Sequence, residues 1–396
     1  DVQRAIEYYE KALDFLPDDT TSLPRRLLLY EGLGKMLRIQ GHYPEAMAAS
    51  REMLASARTM GDTAAAARAW SELSWTQNVQ GNNQAALEST TQAEEIARQA
   101  GDQAGLIKAL TLKGWAFCRL GDPEAALTLG KRAAKSSRAL QAERKLAAAL
   151  NLLSTAYDAL GQYEPAIRLT KDALAIYRRL GCRQEEGVML NNLGTTVGAF
   201  GNYSLAVITF RDALKIAHEI GDYNSEMLCL SNLGGMQVGL RDYHAAAANL
   251  RQAIEIAESI GIKFPEAYSF LAEAYVGQEK IEDAAAAARH ALALALASQE
   301  DIGGAWRALG IVAAHLPAPL EIDGTSYDVT TCFAEALRTF TEMGAEGERA
   351  RTLRTWARFE LAHGDRVRGV AMWREARDIF ERLGMTPEIE RMRAGY

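Results

Sequence analysis

Small side chains recur at a forty-residue step along this chain. One series is alanine: Ala46, Ala86, Ala126, Ala166, Ala206 and Ala246. A second alanine series, which has Met53 in its first place, keeps the same step: Ala93, Ala133, Ala173, Ala213 and Ala253. A glycine series also keeps it and has Arg241 in its last place: Gly41, Gly81, Gly121, Gly161 and Gly201. Such fixed self-similarity indicates a repeat architecture. A repeat array presents one continuous surface, so recognition is expected ahead of catalysis.

The composition agrees with a helical array. The 396 residues include only 9 prolines and 8% aromatic residues, whereas alanine and leucine are abundant, which favours helices. The net charge of −7 argues against a nucleic-acid partner for the whole chain. No apolar run approaches the roughly 20 residues that span a bilayer, and we expect no signal peptide. We therefore expect neither a nucleic acid nor a membrane as a direct partner.

The cysteines predict a reducing compartment. Cys118, Cys182, Cys229 and Cys332 are far apart and show no paired spacing, which is typical of a reduced, cytoplasmic protein. The chain begins at Asp1 and enters a helical pattern directly. We therefore expect it to be a fragment of a longer protein.

Each forty-residue unit predicts an antiparallel helical hairpin. In the unit from 182 to 221, one apolar stripe runs at helical spacing up to Phe200, Gly201-Asn202 breaks the helix, and a second stripe follows from Ala206. Gly221-Asp222 ends the unit, and the same pair occurs at Gly61-Asp62 and Gly101-Asp102. Glycine after one helix and an aspartate N-cap before the next make a short joint. Gly194 and Ala206 would let the two helices approach closely.

These residues resemble a known family. The spacing Leu190-x2-Leu193-Gly194-x2-Val197-x3-Gly201-x-Tyr203-x2-Ala206-x3-Phe210-x2-Ala213 resembles the tetratricopeptide repeat signature, and Trp306-x2-Leu309-Gly310 restores its opening tryptophan. The usual unit has 34 residues, and this one is about six longer. Such units resemble the sensor arms of bacterial STAND-class signalling ATPases, maltose-activator-like regulators and some class III adenylate cyclases. They are also similar to kinesin light chain and the spindle-orientation adaptors.

The resemblance implies an all-α, right-handed superhelical solenoid of antiparallel helical hairpins. We predict a single domain, residues 1–396, with a half repeat at 1–21 and nine hairpins from 22 to 384. Pro317 and Pro319 fall in an insertion near 316–328 that predicts a projecting loop. Residues 385–396, which include Pro387, predict a frayed C-terminal capping helix.

Motifs for chemistry are weak. Gly32-Leu33-Gly34-Lys35 resembles part of a phosphate loop but lacks its spacing and its hydroxyl, and Gly34 stands at the small position of the repeat. The six histidines are scattered without metal-ligand spacing. Glu94 and Glu95 are expected on solvated helix faces. We therefore predict no catalytic residue, no cofactor, no metal and no enzyme activity.

Candidate recognition residues follow from the repeat. In tetratricopeptide repeats the first helix of each hairpin lines the concave surface. The resemblance implies the same arrangement in this chain. Units one to three then present a basic groove with two tryptophans: Lys35, Arg38, Arg68, Trp75, Asn78, Lys108, Trp115 and Arg119. Arginine and tryptophan most often anchor binding energy. The alternatives are that the tryptophans pack between neighbouring helices and that the basic residues pair with nearby acids.

Units four to six change to a polar groove. Asn151, Asn191 and Thr195 fall there, and asparagine can hold a peptide backbone because it offers a donor and an acceptor. Gly198 and Gly239 cost helix stability, and packing explains them less well than it explains Gly194. The carboxylate clamp that binds chaperone C-termini cannot be fitted, because Asn191 and Asn232 lack basic partners.

Two functions remain open. One is a protein or peptide recognition module, the sensor or scaffold arm of a larger bacterial signalling protein, with an acidic partner favoured by the basic groove. The other is a small-ligand sensor that controls an attached ATPase, cyclase or DNA-binding domain. The sequence names neither the ligand nor the oligomeric state.

Overall fold

The computed structural model describes residues 2–17, 19–295 and 298–395. Within these ranges it has twenty α-helices and two short strands. The helices are α1 (Val2–Phe15), α2 (Leu23–Ile39), α3 (Tyr43–Met60), α4 (Thr63–Val79), α5 (Asn83–Gln99), α6 (Gln103–Arg119), α7 (Pro123–Ala139), α8 (Glu143–Ala159), α9 (Tyr163–Arg179), α10 (Arg183–Phe200), α11 (Tyr203–Ile220), α12 (Tyr223–Gly239), α13 (Tyr243–Ser259), α14 (Pro265–Gly277), α15 (Ile281–Leu294), α16 (Gln299–Ala313), α17 (Val329–Glu342), α18 (Glu346–His363), α19 (Arg366–Arg382) and α20 (Thr386–Arg393).

The joints between hairpins form as the glycine-aspartate pairs predict. Gly61 and Gly101 both have φ +67°, the left-handed conformation that ends a helix. Asp62 then accepts a hydrogen bond from the Ala65 amide at 2.9 Å, and this cap starts α4. Asp102 accepts from the Gly105 amide at 2.9 Å in the same way. These two joints therefore satisfy amides at the starts of α4 and α6.

The repeated alanines form the core of the hairpins. The series from Ala46 to Ala246 is fully buried, and the second alanine series is buried to within 1%. A Cβ on Gly194 would come within 2.7 Å of the Phe210 ring, so the glycine allows the two helices to pack. Consecutive helices pack in pairs. The predicted all-α array of helical hairpins is confirmed.

The contacts divide the chain into two compact units. The N-terminal unit comprises residues 1–189 and 216–224, and the C-terminal unit comprises 190–215 and 225–396. In the N-terminal unit the even-numbered helices contact one another in succession: α2, α4, α6 and α8. In the C-terminal unit α14 contacts α16, and α16 contacts α18. We call the layer of α2, α4, α6 and α8 the even-helix face. The organisation as a single domain stays a prediction.

The insertion after α16 is a small hairpin. Strands β1 (Leu320–Ile322) and β2 (Thr325–Tyr327) pair antiparallel, with Leu320 opposite Tyr327. Leu320 is fully buried, and the Tyr327 ring lies 5.0 Å from the Trp306 ring. The sequence predicts a projecting loop here, but these apolar side chains hold much of the segment against α16. None of the helices in the described ranges is both long enough and apolar enough to cross a membrane.

Candidate recognition face

A buried carboxylate joins three helices of the even-helix face. Glu72 on α4 lies 2.5 Å from Arg38 Nη2 of α2 and 2.5 Å from Lys108 Nζ of α6. Burial alone would raise the pKa of Glu72, but Lys108 and Arg38 outweigh it and lower the pKa. Glu72 is therefore ionised at neutral pH. It holds both cations in place.

Trp75 lies beside this ion-pair cluster. The Arg38 guanidinium is 4.6 Å from the centre of the Trp75 ring, a cation–π contact. The tryptophan is still 41% exposed. Trp115, forty residues later, is half-buried. The exposed indole is thus fixed on one side and open on another.

Asn78 is one helical turn beyond Trp75 on α4. It is 4% exposed, and among the described residues neither its amide nitrogen nor its amide oxygen has a hydrogen-bond partner. A buried polar group without a partner costs about 1–3 kcal/mol. Arg38 occupies the equivalent position in α2 and reaches over Trp75.

The predicted basic groove is largely neutralised. Arg38 and Lys108 share Glu72, and Arg68 lies 3.5 Å from Glu31. Lys35 and Arg119 are exposed, and Asn151 is half-buried. The alternative that the cations pair with nearby acids is therefore correct for three of them. Each of these pairs joins neighbouring helices of the even-helix face, so the sequence supplies the charges but not their pairing.

The polar stretch in the C-terminal unit bonds to itself. Asn191 Oδ1 accepts from Asn232 Nδ2 at 3.2 Å and from Cys229 Sγ at 3.5 Å. The exposed Thr195 donates to the Asn191 carbonyl at 3.1 Å. Part of the hydrogen-bonding capacity of Asn191 is therefore used within the chain.

Packing accounts for both glycines of this stretch, contrary to the sequence interpretation. A Cβ on Gly198 would lie 2.6 Å from Met236 Sδ, and one on Gly239 would lie 2.6 Å from the Tyr203 ring. Neighbouring side chains fill the space beside both glycines.

Glu94 also differs from its prediction. It is buried and lies 2.5 Å from Arg98 Nη2 and 2.9 Å from Lys113 Nζ, whereas Glu95 is exposed as expected. No group of three histidine, cysteine, aspartate or glutamate side chains in the described part of the chain could hold a metal ion.

Sequence analysis missed a second charged cluster, in the C-terminal unit. Its centre is Glu388 of α20, which is fully buried. Glu388 Oε1 accepts from Tyr203 Oη at 2.7 Å and from Arg351 Nε at 3.0 Å. Glu388 Oε2 pairs with Arg391 at 2.8 Å and with Arg354. We call Glu388 and these four donors the Glu388 cluster.

The charges in this cluster are mutually stabilised. Burial alone would raise the pKa of Glu388, but Arg351, Arg354 and Arg391 outweigh it and hold the pKa far below its usual range. Arg351 also pairs with Glu348, which pairs with Arg307. Against burial, these two arginines lower the pKa of Glu348 to about 2. The C-terminal helix is therefore not the frayed cap that the sequence predicts.

Glu266 of α14 behaves in the opposite way. Burial first, and then the nearby carboxylates of Glu300, Asp301 and Glu348, raise its pKa to about 8, although Arg307 opposes the rise. Glu266 and Glu388 both belong to the C-terminal unit of the chain. The pKa of Glu266 thus lies above the ordinary value of a glutamate, and that of Glu388 lies below it.

The chain matches the tetratricopeptide repeat family model over residues 109–179 and 185–259. A search of curated proteins found no match. Among solved structures, a Rap protein complexed with competence and sporulation factor is 15% identical with a TM-score of 0.67, covering 92% of this chain and 99% of that one.

Two further solved structures have this fold. The quorum sensor NprR from B. thuringiensis, in its apo form, is 11% identical with a TM-score of 0.56, covering 87% of this chain and 98% of that one. A STAND protein with a tetratricopeptide repeat sensor from Pyrococcus horikoshii is 16% identical with a TM-score of 0.57, covering 89% of this chain and 54% of that one. Residues 109–179 and 185–259 are therefore identified as tetratricopeptide repeats.

Proposed function

We propose that the chain is a peptide or protein recognition module and that the even-helix face around Trp75 is its binding surface. The observation that carries this proposal is the exposed Trp75 indole, fixed by Arg38 in the middle of three packed helices. Tryptophan and arginine are the residue types most enriched among those that dominate binding energy. A side chain that is already fixed loses little entropy when a partner binds.

Asn78 supports a peptide as the partner. Its buried amide has a donor and an acceptor that the described residues leave unused. A peptide main chain offers the complementary acceptor and donor. Because Glu31 and Glu72 neutralise most of the nearby cations, we expect an apolar or aromatic anchor on Trp75 to contribute more than an acidic group.

The solved structures support the same proposal through the fold. The Rap structure contains a bound factor, and the Pyrococcus protein carries its repeats as the sensor of a larger molecule. We therefore propose that this chain is the sensor or scaffold arm of a larger signalling protein. The alternative, a sensor for a small ligand that controls an attached domain, would use the same fold.

Selection from a displayed peptide library tests the proposal. The wild type should select a peptide family with an apolar or aromatic anchor, and Trp75→Ala should not select it. Tyr8→Ala is the matched control, because Tyr8 is a 71% exposed aromatic residue on α1. Selection of the same family by Trp75→Ala would place the binding surface elsewhere. A folded wild type that selects no family would contradict peptide recognition and favour the small-ligand alternative.

A further inference from the structure

The turn between α10 and α11 is covered by another part of the chain. At Gly201, where φ is +104°, an added Cβ would lie 2.9 Å from Arg391 Nη2 and 3.0 Å from Glu388 Cγ. Gly41, Gly81 and Gly121 occupy the equivalent turns, and a Cβ there would meet nothing within 4 Å. Glycine at 201 therefore allows both the turn and the close approach of α20.

Polar groups make most of this contact. Arg391 Nη1 donates to the Gly201 carbonyl at 2.7 Å, and Arg351 donates to the Ala199 carbonyl. The Arg391 guanidinium also lies 3.9 Å from the centre of the Tyr203 ring. Of the residues in α20, only Glu388 and Met392 are buried. The apolar contribution of α20 is therefore small, and the attachment depends on the Glu388 cluster.

We propose that Glu388 is a latch that holds the C-terminal unit closed, with α18 and α20 fastened to the α10–α11 turn. The proposal concerns the C-terminal unit alone and goes beyond the proposed function, since it requires no ligand at Trp75. One carboxylate is the shared partner of Tyr203, Arg351, Arg354 and Arg391. Displacing α20 removes Glu388 and Arg391 together and leaves Arg351 and Arg354 of α18 close to each other without this carboxylate, which costs free energy.

The shared carboxylate makes opening cooperative. Arg351 keeps Glu348 as a second partner, but no other ion pair is described for Arg354 or Arg391. Loss of the Glu388 charge therefore removes the described ion-pair partner of both at once, and Arg354 keeps only a longer-range attraction to Glu273. An anion that competes for these arginines would open the latch in the same way.

Hydrogen exchange of the full chain tests the latch. Glu388→Gln keeps the shape of the side chain but removes its charge. We expect amides of residues 199–203 and of α20 to exchange about a hundredfold faster in this variant. Amides in α4 should be unchanged. Glu390→Gln is the matched control, because Glu390 is exposed on the same helix, and it should leave every rate as in the wild type.

A milder variant covers the case in which Glu388→Gln fails to fold. Tyr203→Phe deletes one hydrogen bond and keeps the ring under Arg391, and the same amides should exchange about tenfold faster. Rates within about twofold of the wild type in the folded variants would overturn the latch, since Met392 packing would then hold α20. Equal acceleration throughout the C-terminal unit would also overturn it, because that result indicates general destabilisation.

Discussion

Each unit contains a buried glutamate that pairs with cations from several helices, but the two surroundings differ. Around Glu72, the Trp75 indole is exposed and the Asn78 amide has no partner among the described residues. Around Glu388, the Tyr203 hydroxyl and three arginines converge on the carboxylate. The same ion-pair chemistry therefore leaves binding capacity unused in one unit and uses it for closure in the other.

The difference shows how polar groups can be assigned to binding or to structure. A buried network in which every polar group has a hydrogen-bond partner fixes one arrangement. A buried polar group without a partner costs free energy, and a ligand that bonds to it removes that cost. On this argument the N-terminal unit is prepared for a partner and the C-terminal unit is held by its own residues. The contrast can be measured in each unit separately.

Removal of the central carboxylates should give the largest effect. Glu388→Ala leaves Arg351, Arg354 and Arg391 without their shared partner, so we expect a loss of about 3–5 kcal/mol in the stability of the C-terminal unit. Glu72→Ala should cost the N-terminal unit less, about 2–3 kcal/mol, because Lys108, 35% exposed, regains water and only the buried Arg38 is left without its carboxylate. Urea denaturation followed by unit-specific hydrogen exchange measures both.

Equal losses for the two variants would contradict the comparison. Glu390→Ala is the control for α20 and should change stability by less than about 0.5 kcal/mol, since Glu390 is exposed.

The sequence was sufficient for the repeat but not for these clusters. Ala206 and Gly194 report local packing, which recurs in every unit, so periodicity predicted the hairpins and their joints. Tyr203 and Glu388 are 185 residues apart, and no period connects them. Trp75 was found as an exposed groove residue, but the pairing of its neighbours Arg38 and Lys108 depends on side-chain geometry across three helices.

The two shifted carboxyl groups predict opposite pH dependences. The pKa of Glu266 is raised to about 8, so the folded state binds its proton more tightly than the unfolded state. Its contribution to stability is therefore present below pH 4.5 and is lost as pH rises towards 8. Glu266→Gln should remove this loss and stabilise the chain by about 2 kcal/mol at pH 8, a value reduced for the partial exposure of the group.

For Glu388 the sign is reversed. Its folded pKa lies far below the ordinary value, so its stabilisation is present above about pH 4.3 and is lost only as pH falls through the lower folded pKa. The facing charged groups, Arg351, Arg354 and Arg391, stay protonated throughout. Thermal unfolding between pH 4 and pH 8 should show the Glu266 effect and no loss of the latch. Faster exchange of α20 at pH 5 than at pH 7, after correction for intrinsic rates, would contradict the assignment.

Replacing Asn78 should separate binding from stability. Asn78→Leu removes a buried amide that lacks a described partner and keeps a similar volume, so we expect the N-terminal unit to gain about 1 kcal/mol. The same variant should lose affinity for a peptide selected by the wild type, as measured by calorimetry. A loss of stability instead would mean that the amide is satisfied in solution. Asn78→Asp is the companion variant, because it keeps the shape of the side chain but removes the amide donor.

The smallest effect concerns Arg68, and it determines how far charge matters on the even-helix face. Arg68 and Glu31 are both partly exposed and 3.5 Å apart, so Arg68→Ala should change stability by less than about 0.5 kcal/mol. Lys108→Ala should cost more stability, because Glu72 is buried and would keep only Arg38.

If charge steers the partner, replacing Arg68 and Lys108 together by glutamate should weaken peptide binding strongly at low salt and less at high salt. If the Trp75 anchor dominates, as the paired carboxylates indicate, the affinity of the wild type should change little between low and physiological salt. A steep salt dependence would restore the acidic partner that the sequence predicts.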